Sequence, residues 1–188
     1  EERWLLEARA LVGHALAHFS GPETPLLFFS ADDAPKVLVR KRETQDNVIP
    51  SSNSVMAEVL FRLADYFADP ALHAHAMSMC AAMRAELPAY APAYAHWAEA
   101  MFLEDRGAAT LAVSGPDAAE FLAATRGKFL PHVRIAGSAG PSKVPLLSDK
   151  LSPGKTLGYR CEAGACGLPT EDWKSLLAVE AAPWKAAT

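Results

Sequence analysis

Apolar residues recur at spacings of three and four near the start of the chain. Trp4, Leu5, Ala8, Leu11, Val12, Ala15, Leu16 and Phe19 fall on one side of a helix, and Gly21-Pro22 stops it. The period then shortens. Leu26 to Ala31 and Lys36 to Arg42 flank Asp32-Asp33-Ala34-Pro35 and read as a β-hairpin set between helices. Helical spacing returns with Met56, Leu60, Leu63 and Phe67 and ends at Asp69-Pro70, where Asp69 caps and Pro70 opens another helix. That helix carries Leu72, Ala76, Met79, Cys80, Met83 and Leu87, and Pro88 ends it. Tyr94, Trp97, Ala98, Met101 and Phe102 make a further stripe before Asp105-Arg106-Gly107. Short connections make successive helices antiparallel neighbours, so residues 1–107 predict stacked helical hairpins with one inserted β-hairpin.

The pattern changes after Gly107. Thr110 to Val113 and Val133 to Ala136 read as strands around a helix from Pro116 to Lys128, a strand-helix-strand unit. Leu157 to Cys161 reads as another strand, and Thr170 to Glu180 as a final helix capped by Thr170. The fold expected is therefore mainly α, with antiparallel helical hairpins over 1–107 and a small α/β region over 108–188 that carries Cys161 and Cys166.

Composition narrows the function classes. With 188 residues, 51% of them hydrophobic and 21% charged, the chain can bury a real core. Its net charge is −4, and Arg40-Lys41-Arg42 is its one cationic cluster, which disfavours a nucleic-acid partner. No run approaches the roughly 20 apolar residues of a membrane span. The chain starts at Glu1 without a signal-peptide pattern, so it is expected to be part of a longer protein. Three cysteines do not make a secreted disulfide framework, and a cytoplasmic location is expected.

Two stretches carry a family resemblance. DNVIPSSNSVMAEVLFRLADYF, from Asp46, and GYRCEAGACGLPTEDWKSLL, from Gly158, contain an Asp-Asn-x-x-Pro-Ser-x-Asn-Ser block and a Cys-x4-Cys-x2-Pro block. In these the chain resembles the C-terminal part of the YyaL family, the spermatogenesis-associated protein 20-like proteins, with Ser52 standing where the family commonly has Gly. The resemblance implies an N-terminal thioredoxin-like domain followed by an α/α toroid similar to N-acylglucosamine 2-epimerases and six-hairpin glycosidases. This chain would be the closing part of that toroid. The remainder of the parent protein is then its expected partner, and self-association is expected when this piece is alone because uncovered faces are apolar.

Each motif has a plain and a sharper reading. In DNVIPSSNS the side-chain oxygens of Ser51, Ser52, Asn53 and Ser54 suit the capping of the next helix, each cap worth about 1 kcal/mol. The sharper reading places Asp46, Asn47, Ser51, Ser52 and Asn53 at a cavity mouth, hydrogen-bonding a small carbohydrate. Cys161 and Cys166, with Gly164 and Gly167 beside them, suit inert thiols, a local disulfide, or a redox pair exchanging with a thioredoxin-like domain. No second Cys or His pair accompanies them, so no metal is expected there, nor any cofactor. His14 and His18 read as a solvated flank, His73 and His75 point in different directions, and His96 beside Trp97 reads as a core histidine or the wall of an aromatic pocket. Glu99, Glu104 and Asp105 read as a solvated face, and nucleophile-elbow, zinc-protease and P-loop motifs are absent from the sequence.

Two functions follow as expectations. One is a carbohydrate-acting enzyme of epimerase or isomerase type, abstracting a proton beside a carbonyl, with its catalytic base expected in the part of the parent protein outside this chain. The other is a non-catalytic binding or scaffold module that works with a thioredoxin-like domain in thiol redox.

Overall fold

The computed structural model describes residues 1–35, 38–105, 107–162 and 165–180. They form two compact units, Glu1–Ala64 with Asp69–Asp105, and Asp65–Ala68 with the described residues from 107 onward.

The first unit is helical. Helix α1 (Glu2–Phe19) has Glu2 in its first turn and His18 in its last, both favourable to the helix dipole. Its apolar stripe is only partly covered: Val12 is its one buried residue, Leu5, Ala8, Ala15, Leu16 and Phe19 are half-buried, and Trp4 and Leu11 are 61% and 68% exposed. Helix α2 (Ser52–Phe67) buries Ala57, Leu60, Phe61, Leu63 and Ala64. Each of the larger side chains contributes about 1.5–3 kcal/mol by leaving water. Helix α3 (Pro70–Met83) starts where Asp69 accepts hydrogen bonds from the Ala71 and Leu72 N–H groups, and it buries Ala76, Met79, Cys80 and Met83. A 3-10 turn (Ala91–Tyr94) leads into helix α4 (Ala95–Asp105). Here the sequence stripe is rotated: Trp97 and Ala100 are buried, whereas Ala98 and Phe102 are exposed.

The expected hairpin at 26–42 is not a ladder. Among the described residues of this stretch no strand forms, and Lys36 and Val37 lie outside them. One backbone bond, from the Phe29 N–H to the Lys41 carbonyl, crosses the loop at 2.7 Å. Arginine side chains take the place of the rest. Arg40 donates to the Ser30 and His18 carbonyls, Arg42 to the Leu26 carbonyl, and both guanidinium groups stack on Phe28.

The second unit is built on a four-stranded mixed sheet in the order β2-β1-β3-β4. Strand β1 (Ala109–Ser114) is buried along its whole length and pairs in parallel with β2 (Val133–Ser138) after the crossover helix α5 (Ala118–Thr125). A one-turn helix α6 (Pro145–Ser148) follows, then β3 (Leu157–Glu162), antiparallel to β1, and β4 (Ala165–Cys166), antiparallel to β3. Helix α7 (Trp173–Glu180) begins later than expected, and Asp172 rather than Thr170 caps it, accepting from the Ser175 N–H. Leu111, Val113, Ala118, Phe121, Trp173 and Leu177 make one core, with Phe121 and Trp173 meeting edge to face at 5.8 Å.

The fold class expected from the sequence is thereby corrected. The chain is α/β, seven α-helices and a four-stranded sheet among its described residues, and not a mainly α arc of helical hairpins closing an α/α toroid. The physical reason is that a helical period states which face is apolar without stating what covers it. No helix among the described residues is long and apolar enough to cross a membrane.

Candidate functional site

Ser51 is the N-cap of α2. Its Oγ accepts from the Ser54 N–H at 3.2 Å, its carbonyl accepts the first helical bond from Val55, and its hydroxyl lies 3.2 Å from the Thr44 carbonyl. Asp46 ties the approaching loop to this cap. Its Oδ1 accepts from the Ser51 N–H and the Ser54 hydroxyl, both at 2.8 Å, and its Oδ2 accepts from the His96 N–H at 2.9 Å. One carboxylate thus joins the start of α2 to the start of α4. Burial pushes its pKa up, but those three hydrogen bonds and the His96 charge outweigh burial and hold it below the ordinary aspartate value.

Asn53 reaches the other way. At 1% exposure it accepts from the Leu27 N–H at 2.7 Å and donates to the carbonyls of Leu27 (2.9 Å) and Glu43 (2.8 Å). It acts as a one-residue sheet partner for the loop that lacks a ladder. Ser52 is exposed, with its N–H donating to the Glu43 carboxylate at 3.2 Å. Asn47 is exposed as well, and its N–H closes a turn onto the Ile49 carbonyl.

The structure therefore joins Asp46 and Ser51 in one network, commits Asn53 to Leu27 and Glu43, and leaves Asn47 and Ser52 on the surface. Their hydrogen-bonding capacity is largely spent within the chain, which favours the capping role over a ligand lip. The sequence reading missed Thr44 and the bond that Trp97 makes to it. The indole N–H of Trp97, itself fully buried, donates to the Thr44 carbonyl at 2.8 Å, and Gln45 donates to the Tyr94 hydroxyl at 3.2 Å. A carbonyl has no residue signature, so no sequence signal marks Thr44.

Among the described residues, His96 is the histidine that meets this block, through its backbone N–H on Asp46. Its Nε2 lies 3.1 Å from the Glu58 carboxylate and its Nδ1 3.7 Å from Glu99, with 17% of the side chain exposed. The Glu58 approach lacks hydrogen-bond alignment, so Nε2 is a buried nitrogen that sits close to a carboxylate without being bonded to it. Glu58 also pairs with Arg62, which divides its charge.

In the second unit Cys161 and Cys166 form a disulfide across β3 and β4. The Gly167 N–H donates to the Arg160 carbonyl at 2.9 Å, so the cysteines occupy the adjacent pair without ladder bonds, where cross-strand side chains stand closest. Cys161 is 3% exposed and Cys166 is exposed, so the bond is buried at one end and open at the other. Arg160 pairs with Glu162. The remaining cysteine, Cys80, is a buried thiol pushed up to about 11 by burial and then by the Glu104 charge, so it stays protonated at neutral pH. No protein-family model matches the chain, and no curated protein matches it.

Proposed function

We propose that the chain is a non-catalytic binding or scaffold module that works in thiol redox, the C-terminal part of a YyaL-like protein whose thioredoxin-like domain exchanges with Cys161–Cys166. The observation that carries this reading is the disulfide with one buried and one exposed cysteine at the end of a two-residue strand. Internal saturation of Asp46, Ser51 and Asn53 supports it from the other side, because those groups are committed to holding the helical unit together.

Exchange runs through Cys166. A partner thiolate attacks the Cys166 sulfur, the Cys161–Cys166 bond breaks, and Cys161 leaves with the electron pair and takes up a proton. The partner's second thiolate then attacks its own sulfur in the mixed disulfide and releases Cys166. The partner dithiol is oxidised to a disulfide, and this disulfide is reduced to two thiols. Run backwards, the same steps oxidise a dithiol client.

The test is trapping. The oxidised chain is incubated with a thioredoxin-type protein whose resolving cysteine is replaced by serine, and the adduct is mapped by mass spectrometry. A mixed disulfide on Cys166 is expected; no adduct, or one on Cys161, removes the reading. A second reading, epimerisation or isomerisation of a sugar by proton abstraction beside a carbonyl, is favoured by the unbonded His96 Nε2 lying 3.1 Å from the Glu58 carboxylate. Deuterium uptake from heavy water into a panel of reducing sugars, abolished by His96→Gln, would support it, and no uptake would dismiss it.

A further inference from the structure

The end of α1 carries a second cluster of chemistry-bearing groups. His14 and His18 are one helical turn apart on the same face, and their ring centroids lie 4.5 Å from each other. The loop after Gly21 returns to this turn. The Asp32 N–H donates to the His18 carbonyl at 2.9 Å, which fastens two consecutive aspartates against the helix end. Asp32 Oδ1 is then 2.9 Å, and Asp33 Oδ2 3.8 Å, from His18 Nδ1. One donor atom from each of His18, Asp32 and Asp33 lies within 4.8 Å of the others.

We propose that His14, His18, Asp32 and Asp33 bind a divalent transition-metal ion of the zinc class. Zinc holds imidazole nitrogen and carboxylate oxygen at about 2.0–2.2 Å in a tetrahedron, which sets its ligands about 3.5 Å apart. The His18, Asp32 and Asp33 donors lie within 4.8 Å of one another, and His14, whose ring centroid is 4.5 Å from that of His18, completes the set by side-chain rotation. Two imidazoles on successive turns chelate as a unit, the spacing that helical zinc motifs use. Two imidazoles with two carboxylates select a transition ion over calcium or magnesium, which prefer all-oxygen sites. His18 is 35% exposed, Asp32 55% and Asp33 67%, so the ion has an open path in. The neighbouring cation is Arg40. Its guanidinium is spent on the Ser30 and His18 carbonyls and on the Phe28 ring, so it weakens the site by its charge without occupying the carboxylate oxygens.

The experiment is calorimetric titration of the disulfide-intact chain with zinc chloride, repeated with cobalt chloride followed by visible absorption. One ion per chain is expected, with a tetrahedral cobalt spectrum. His18→Ala and Asp32→Asn should each lower the affinity at least about tenfold, the scale set by even the outer groups of a metal site. His14→Ala keeps the test open if the His18 variant loosens the loop, because His14 is exposed and touches the site through the His18 ring. A His73→Ala/His75→Ala double variant should bind as the parent does. No saturable uptake, uptake unchanged by His18→Ala or His14→Ala, or equal competition by calcium would each overturn the assignment.

Discussion

Replacing Asn53 by alanine tests the structural role of the polar block. The side chain serves three backbone groups, the N–H and carbonyl of Leu27 and the carbonyl of Glu43. Leu27 is 6% exposed, so its two groups cannot recover water, whereas Glu43 is exposed and its carbonyl can. Each orphaned buried group costs about 1–3 kcal/mol, so two give about 2–6 kcal/mol before the loop relaxes. We expect a loss near the middle of that range, about 3–4 kcal/mol, large against the total stability of a domain. The assay is urea unfolding followed by circular dichroism, with the slope checked against the parent to confirm that the same transition is measured. Asn53→Asp is the companion variant. It keeps the acceptor for Leu27 but turns a carboxylate oxygen toward two carbonyls, and it should be about as damaging. A loss below about 1 kcal/mol for Asn53→Ala would refute the reasoning and return Asn53 to the list of ligand-binding groups.

Three other outcomes follow from the same geometry. Because the Asp46 pKa is held down in the folded chain, its contribution is fully present above the unfolded aspartate value of 3.8 and is lost as pH falls through the lower folded value. Asp46→Asn should therefore flatten the acid limb of a stability profile measured from neutral pH down to pH about 2. Gly115 has φ +133°, and a Cβ there would lie 2.3 Å from the Lys155 carbonyl oxygen, so Gly115→Ala should lower the melting temperature markedly or prevent folding, as a thermal scan would reveal. Cys80, with its thiol pushed up to about 11, should resist iodoacetamide at pH 8 in the folded chain and react once urea is added, which mass spectrometry reads directly.

Local rules made several elements legible. Asp69-Pro70 opens α3 as capping chemistry requires, and the β1, α5, β2 unit follows the strand-helix-strand pattern read from Thr110 onward. What failed depended on partners far away in the chain. Arg40 and Arg42 carry no sequence mark showing that they bind carbonyls rather than pair strands, and Asn53 meets Leu27 across 26 positions. The α1 stripe is regular, yet Trp4 and Leu11 are exposed, since periodicity shows a face and not its cover. In the candidate sites, the Cys-x4-Cys spacing was visible as a possible pair, but the asymmetry between buried Cys161 and exposed Cys166 comes from the sheet edge. The approach of Asp32 and Asp33 to His18 depends on a backbone bond that no residue type announces.

The most direct measurement of the central claim is the rate of reduction of Cys161–Cys166 by a dithiol in the native chain, quenched with an alkylating reagent and read by mass, with circular dichroism recorded alongside. The account predicts that two thiols become available while the helical signal is unchanged, with exposed Cys166 alkylated faster than buried Cys161 once both are free. Reduction that occurs only as the chain unfolds would contradict it and make the bond a purely structural link.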